Sequence, residues 1–356
     1  MKEKDLIAFR LTNQQISRHQ FKTVEDLVNW MLVMQSQEFA MAKWAIGLRM
    51  SGITEKDVDL AFNEGRILRT HVLRPTWHFI SPSDIGWMIH LTAPKIRKIM
   101  GYYCEKNGVD KRIINKSNDL LAKHLQGGQF LMREQLRKIL EGSKINTAGE
   151  RMALILMQAE LDSIICSGPR IGNQFSYAFL PERAGKQKIL SNEEALIELA
   201  SRYFRSRGPA TVQDLSYWSG IPQKDARRAA EGLNKDFRKM PWDGREFYCS
   251  VHQVAAPINA KASFLVPDYD EIGMSYRDKG AFSLRERAAT ENAGPGAGFQ
   301  HFFVIDGKVG GYWKPTLLKT KRKVETKPYI QLSDTGARKL QSAVKRYDRF
   351  FNAGSL

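Results

Sequence analysis

Short helices followed by pairs of short strands recur along this chain, and that alternation restricts the fold more than any other feature. Thr23 and Asp26 form a version of a capping box at the start of the first predicted helix. That helix carries one apolar stripe, made of Val24, Leu27, Val28, Met31 and Leu32. A capped helix at 54–64 and strands at 66–72 and 76–80 follow. Helix, helix, then β-ribbon is the plan of a winged helix.

The same order recurs twice. Ser81-Pro82-Ser83-Asp84 predicts an N-cap with proline at the first helical position, opening a helix that buries Ile85, Met88 and Ile89. Helices at 132–140 and 150–161 precede a second ribbon, 163–166 with 174–180. A third copy contains a long helix at 193–204, a short helix capped at Thr211, and a helix at 223–233 after a turn.

From about Phe247 the pattern changes to strands. Asp306-Gly307 predicts a tight hairpin turn, and a small antiparallel barrel or sheet is expected around it. A closing helix at 335–349 carries a docking stripe of Ala337, Leu340, Val344 and Tyr347, with Arg338, Lys339, Lys345, Arg346 and Arg349 outside. We therefore predict a mainly α fold with β (α+β), divided into three winged helices at 1–80, 81–190 and 191–250 and a β module with closing helix at 251–356.

Charge favours a polyanionic partner. The 356 residues include 55 Lys and Arg against 38 Asp and Glu, a formal net charge of +17. No run approaches the roughly 18 apolar residues of a membrane span, and the charged start, Met1 to Asp5, is unlike a signal peptide. We expect a cytoplasmic, nucleoid-associated bacterial protein without membrane contact.

Metal and disulfide chemistry have no sequence support. Cys104, Cys166 and Cys249 are far apart and odd in number. The seven histidines are equally scattered, and none lies four residues from another. Gly294 to Gly298 lacks the Lys-Ser/Thr of a phosphate loop and predicts a hairpin tip. We expect no metal and no cofactor.

Gln35-Ser36-Gln37 is the most informative motif for chemistry. The helical pattern places both amides at a helix end, where they can orient a water or simply satisfy free carbonyls. Glu38 is the nearest acid and a candidate accessory base.

Gln35-x-Gln37 with an acid after it, then Ala42-x-Trp44-Ala45-x-Gly47-Leu48-Arg49, resembles the AlkZ-like winged-helix DNA glycosylases. YcaQ-type relatives carry Gln-x-Asp instead. Three later stretches are similar in the same order: Arg74 to Phe79, Pro267 to Glu271 and Asp306 to Trp313. One departure is Ser36, where the family usually has an aliphatic residue.

The resemblance implies a monofunctional DNA glycosylase, with Gln35 and Gln37 as catalytic residues and cationic N7- or N3-alkylated purines, including bulky or cross-linked adducts, as substrates. The expected partner is double-stranded DNA, bound by a monomer. The alternative is a non-enzymatic winged-helix DNA-binding protein such as a transcription factor. Regulators usually carry one winged helix with a dimerisation segment, whereas three copies plus a β module suit a monomeric clamp.

A second set of candidates consists of residues for DNA contact. Arg74 is a candidate phosphate ligand, with Trp77 beside it and His78 as an accessory group; a core tryptophan and a structural histidine are the alternatives. The basic candidates are Lys224, Arg227 and Arg228 on a helix and Lys321 and Arg322 in a loop that also contains Lys319 and Lys323. Each basic set can equally be a solvated surface. Asp268, Asp270 and Glu271 can hold a cation, but a turn is favoured.

Overall fold

The computed structural model describes residues 3–253, 263–278, 301–318 and 321–352. The glycine-rich segment at 294–298 lies outside these residues. The chain divides into two compact units, the first containing Met1–Val58, Leu199–Trp218 and Pro222–Leu356, and the second containing Asp59–Glu198 and Ser219–Ile221. The predicted division into four modules stays a prediction.

Helices and short strand pairs alternate along the chain, which gives the mixed α and β fold expected from the sequence. The helices are α1 (Glu3–Asn13), α2 (Val24–Met31), α3 (Phe39–Gly47), α4 (Glu55–Asn63), α5 (Ile85–Lys106), α6 (Lys111–Leu125), α7 (Arg133–Gly142), α8 (Arg151–Leu161), α9 (Leu180–Ala184), α10 (Asn192–Arg207), α11 (Val212–Ser219), α12 (Gln223–Glu231), α13 (Glu271–Met274) and α14 (Asp334–Asn352).

The strands are β1 (Val33–Gln35), β2 (Leu68–His71), β3 (Trp77–Ile80), β4 (Leu131–Met132), β5 (Ile165–Ile171), β6 (Gln174–Phe179), β7 (Phe237–Trp242), β8 (Arg245–Ser250), β9 (Ser263–Val266), β10 (Phe302–Ile305), β11 (Lys308–Leu318) and β12 (Lys321–Pro328). None of the described helices is long and apolar enough to span a bilayer.

In the first unit, the C-terminal module is an antiparallel sheet in the order β12-β11-β10-β9. The sheet, and not the barrel, is therefore what the described residues form. The predicted tight turn joins β10 to β11, with positive φ angles of 53° at Asp306 and 82° at Gly307. Lys321 and Arg322 begin strand β12, so the basic loop predicted there is wrong for these two residues.

Helix α14 closes this module through an apolar face. Its buried residues are Leu340, Ala343, Tyr347 and Phe350. Of the predicted docking stripe, Ala337 is exposed and Val344 is only half-buried, because the buried face continues toward the C-terminal end of the helix.

Helix α14 also supports α3, the helix that follows the paired glutamines. The Trp44 ring packs against Tyr347 at 5.1 Å and against Phe350 at 5.5 Å. A Cβ added at Gly47 would lie 2.5 Å from the Phe350 ring, so only glycine permits this close approach. The end of α3 is therefore held against the C-terminal helix.

The helices predicted within 193–233 are present as α10, α11 and α12, although residues 192–198 and Ser219–Ile221 are assigned to the second unit. Thr211 and Asp214 cap α11 reciprocally, with N–H to side-chain distances of 2.9 and 3.1 Å. The β7–β8 ribbon follows α12, and Ala210 pairs with Tyr248 in an isolated antiparallel bridge. Helix α12 buries Ala226 and its alanine neighbours and leaves its basic face outside.

In the second unit, β2 and β3 form the predicted ribbon, paired from Leu68 with Ile80 to His71 with Trp77. Helix α5 begins at Ile85, several residues later than the Ser81 cap predicts. The segment before it forms a turn, and Asp84 accepts the Trp87 indole N–H at 3.0 Å instead of capping the helix.

The helices predicted at 132–140 and 150–161 and the ribbon predicted after them are also present in this unit. Helices α7 and α8 precede the β5–β6 ribbon, and β4 adds a third strand in the order β4-β6-β5. Helix α6, capped by Asp110, joins them and shares their core. Fully buried residues of this core include Leu121, Leu125, Leu136, Leu140, Ile155 and Ile165.

Candidate active site

Gln35 lies at the end of strand β1. Helix α2 stops at Met31, since Leu32 has a positive φ of 62° and donates its N–H to the carbonyl of Asn29. The prediction that a helix carries the pair at its C-terminal end is therefore wrong. Gln35 is 5% exposed, whereas Gln37 is exposed where the chain turns into α3.

Arg207 and Glu271 hold the backbone around this bend. The Arg207 guanidinium donates to the carbonyl of Met31 at 2.8 Å and to that of Val33 at 3.0 Å. Glu271 accepts the backbone N–H of Gln35 at 3.0 Å through Oε1. Arg207 and Glu271 pair with each other at 2.6 Å, and their side chains are 0% and 1% exposed. A buried ion pair therefore fixes β1.

The second carboxylate oxygen of Glu271 is also fully engaged. Besides Arg207, Oε2 accepts from the Trp218 indole at 2.9 Å and from the Ser275 hydroxyl at 3.2 Å. The Arg207 guanidinium lies 4.3 Å from the centre of the Trp218 ring. Buried and paired with an arginine, this carboxylate acts as a structural acceptor and not as a solvent-facing general base.

Neighbouring Asp270 makes a second buried pair. Arg49 donates to both of its carboxylate oxygens at 2.7 Å, and neither side chain is exposed. Asp270 also caps α13 by accepting the N–H of Ile272, and the backbone N–H of Asp268 donates to His301 Nδ1 at 2.9 Å. The turn predicted for this acidic segment is present, and two of its acids are neutralised by arginines.

Arg207 and Glu271 are the site-supporting residues that the sequence did not indicate. Arg207 ends α10, three residues beyond the helix predicted at 193–204, and Glu271 lies in a segment predicted as a turn. They lie 64 residues apart. The only sequence signal was that Pro267 to Glu271 is similar to a segment of the resembling family.

Glu38, the candidate accessory acid, is exposed immediately before α3, and its carbonyl accepts the N–H of Ala42 at 2.8 Å. Glu38 thus directly follows the paired amides and its side chain is open to solvent.

The core tryptophan considered from the sequence is wrong for Trp77, whereas the structural histidine is what His78 is. His78 is fully buried, with Nδ1 2.9 Å from the carbonyl of Thr76. Trp77 is half-buried, with its ring tilted against His71 at a centroid distance of 4.5 Å and the Arg69 guanidinium 4.3 Å from its ring centre. Adjacent strand residues face opposite ways, and here the histidine takes the core side.

The other cationic candidates differ in exposure. Lys224, Arg227 and Arg228 are exposed together on α12, as predicted, and Arg74 is half-buried. Arg322 is engaged within the protein: its guanidinium lies 4.2 Å from the Phe351 ring centre and 3.7 Å from a Glu55 oxygen. The side chain of Lys321 lies outside what the structure describes.

No cluster of three or more His, Cys, Asp or Glu side chains suited to a metal ion occurs in the described ranges. The three cysteines are buried and unpaired with each other.

A family comparison identifies the class of protein. A model of the family described as "DNA glycosylase AlkZ-like" matches residues 28–350. The chain belongs to this AlkZ-like DNA glycosylase family, and DNA is accordingly its substrate.

Two comparisons give particular relatives. The chain is 21% identical over 326 residues to the "Interstrand DNA cross-link repair glycosylase" of Streptomyces sahachiroi, covering 87% of each protein. It is also similar to the solved structure of the Streptomyces sahachiroi DNA glycosylase AlkZ, with a TM-score of 0.79 and 20% identity over 98% of this chain and 97% of that one. The structural likeness supports the fold.

Proposed function

We propose that this DNA glycosylase hydrolyses the N-glycosidic bond of purines that alkylation at N7 or N3 has made cationic. Gln35 and Gln37 are the proposed catalytic residues. The observation that carries the proposal is the buried Arg207–Glu271 pair, which holds the Gln35 backbone while every oxygen of that carboxylate is occupied. Orientation of water then falls to neutral amides.

Neutral amides suit this substrate class. In the reaction the C1′–N bond breaks, its electron pair goes to the purine, and water oxygen bonds to C1′ while a water proton passes to solvent. Amide carbonyl oxygens accept hydrogen bonds from that water and stabilise positive charge on the sugar, but they have no basicity at neutral pH. A cationic purine leaves as a neutral base, so it needs little further activation.

Glu38 is the proposed accessory group. It directly follows Gln37 and is exposed, so it can attract positive charge on the sugar and receive the water proton. His78 is a weaker candidate, since it is fully buried.

The substrate range and assembly are further parts of the proposal. The name of the Streptomyces relative supports bulky and interstrand cross-linked adducts as substrates. We propose that a monomer binds double-stranded DNA in the bacterial cytoplasm, associated with the nucleoid. The exposed cations Lys224, Arg227 and Arg228, together with Arg74, Lys321, Arg322 and the half-buried Trp77, are the proposed DNA contacts.

The test is product analysis with the unmodified protein. Duplex DNA carrying one N7-methylguanine is incubated with the protein, and free base and abasic sites are measured by mass spectrometry. We expect stoichiometric free base and abasic DNA without strand cleavage. Salt-sensitive binding without release of base would instead identify a regulator that has kept the glycosylase fold.

A further inference from the structure

A cavity of about 520 Å³ lies at the C-terminal end of α3, inside the first unit. Its walls come from four places: His19 after α1, the end of α3, the segment 50–54 after it, and the face of α14 that carries Arg346, Arg349 and Phe350. Residues three and four apart share one helix face, so these three side chains point the same way. None of the described residues lining the cavity is acidic.

Arg346 was expected outside the fold but is partly buried at this cavity. Its Nη2 lies 2.7 Å from the Leu48 carbonyl and within 3.0 and 3.1 Å of the Gly47 and Met50 carbonyls, where it caps the end of α3. Arg346 forms no ion pair with a carboxylate in the described part of the chain. Its Nε and Nη1 donate to no group among those residues.

His19 is the remaining titratable group beside Arg346. Its Nε2 lies 3.2 Å from the Arg346 guanidinium, which can only donate, so Nε2 accepts and Nδ1–H donates to the Ser51 hydroxyl at 2.6 Å. Burial, followed by the charge of Arg346, lowers the pKa of His19 to about 4. His19 is therefore neutral at pH 7 and adds no third positive charge to the cavity.

Arg349 adds a second guanidinium without an acidic partner among the described residues. Its one hydrogen bond is a long one, 3.4 Å from Nε to the Lys345 carbonyl of its own helix. Burial, followed by repulsion from Arg349, lowers the pKa of Arg346 to about 10. Asp348 lies between them in sequence but on the opposite side of the helix. Two cations thus share one cavity.

We propose that this cavity binds a phosphate group of a DNA strand, with Arg346 and Arg349 as its ligands. Planar guanidinium groups donate to phosphate oxygens in pairs, and a bound anion removes the repulsion between the two arginines. The volume falls in the range of small-molecule sites, roughly 300–1,000 Å³. The apolar side chains of Met50, Ile53 and Phe350 also line it and can face the deoxyribose.

Helix α3 connects the paired glutamines to the cavity: it has nine residues, starting two positions after Gln37 and ending at the cavity. A helix of that length rises about 13 Å, and phosphates on one strand advance about 3.4 Å per nucleotide along a duplex. A strand lying along α3 would therefore place about four nucleotides between the glutamines and the cavity, a placement that rests on the proposed catalytic role of Gln37.

The test compares Arg349→Gln with Arg338→Gln, which removes the same charge from another exposed position of α14. Arg346 is left intact because it also caps α3. Inorganic phosphate is titrated into protein with ¹⁵N-labelled arginine at constant ionic strength, and duplex affinity is measured against salt concentration. We expect Arg349→Gln to weaken phosphate and duplex binding about 10-fold and to reduce the salt slope by about one, with Arg338→Gln nearly unchanged.

Competition between duplex DNA and inorganic phosphate shows whether the bound phosphate belongs to the DNA backbone. If saturating duplex displaces inorganic phosphate from the Arg349 signal, the ligand is the DNA backbone, as proposed. If phosphate or a mononucleotide still binds beside the duplex, the phosphate site exists but serves free nucleotides. If Arg349→Gln and Arg338→Gln behave alike with both ligands, the proposal is overturned. Because these experiments measure binding and not base excision, failure of the phosphate-site proposal is distinguishable from failure of the catalytic role proposed for Gln35 and Gln37.

Discussion

Replacing Gln37 with leucine is expected to slow release of an N7-alkylated purine by about 100-fold or more under single-turnover conditions. Leucine keeps much of the volume but removes the carbonyl that orients water. Gln37 is exposed, so the fold should tolerate the change. The rate is measured with enzyme in excess over duplex, which separates chemistry from product release.

The matched control is Gln129→Leu, at another exposed glutamine. It should leave the excision rate unchanged within about twofold, as surface substitutions away from a site usually do. Duplex affinity and the thermal unfolding midpoint should match the unmodified protein for both variants. If Gln37→Leu retains full excision, Gln37 has no part in positioning water.

Replacing Arg207 with methionine is expected to destabilise the fold by about 3–5 kcal/mol, the usual cost of leaving one member of a buried ion pair alone. Glu271 is 1% exposed and would lose its cation. The carbonyls of Met31 and Val33 would also lose their donor. The free energy of unfolding is measured by denaturant titration, with Arg112→Met as an exposed control.

The double variant Arg207→Met with Glu271→Gln separates charge from packing. Gln keeps a carbonyl to accept the Gln35 N–H but removes the uncompensated charge, so the double variant should be more stable than Arg207→Met alone. We also expect the surviving folded protein to excise base slowly, because β1 is no longer fixed. If the loss in the double variant equals the sum of the losses in Arg207→Met and Glu271→Gln alone, the two side chains are not coupled.

Local patterns predicted local structure well. Asp306-Gly307 has the composition of a tight hairpin turn, and the turn forms between β10 and β11. Thr211 and Asp214 predict a helix start because their side chains reach nearby backbone, and both hydrogen bonds are present. Interactions within four residues depend little on the rest of the fold.

The end of α2 could not be predicted in this way. A helix usually stops at glycine or asparagine, and Leu32 carries neither signal, yet it has a positive φ. The bend is instead held from outside by Arg207, which contacts the chain more than 170 residues away. The glutamine pair was found from its sequence, while its strand conformation depends on partners that spacing cannot identify.

Arg346 shows that the partners of a charged side chain cannot be predicted from helical spacing either. On helical spacing it belongs to the outer face of α14, but the end of α3 accepts it as a cap. Helix α6 differs because a local signal did exist for it: Asp110 is a recognisable N-cap, although the helix was not predicted. The carbonyls that accept from Arg346 are available only because α3 and α14 pack together, and the sequence pattern of one helix does not reveal that packing.

The central claim is that uncharged amides help water displace a base that already carries positive charge. The most direct test is the ratio of single-turnover excision rates for an N7-methylguanine and for a neutral lesion such as hypoxanthine, placed in the same duplex. We predict rapid release of the cationic base and a rate at least about 1,000-fold lower for the neutral one, a difference of about 4 kcal/mol in activation free energy. Comparable rates on both bases would contradict the account, because neutral amides alone cannot activate a neutral leaving group.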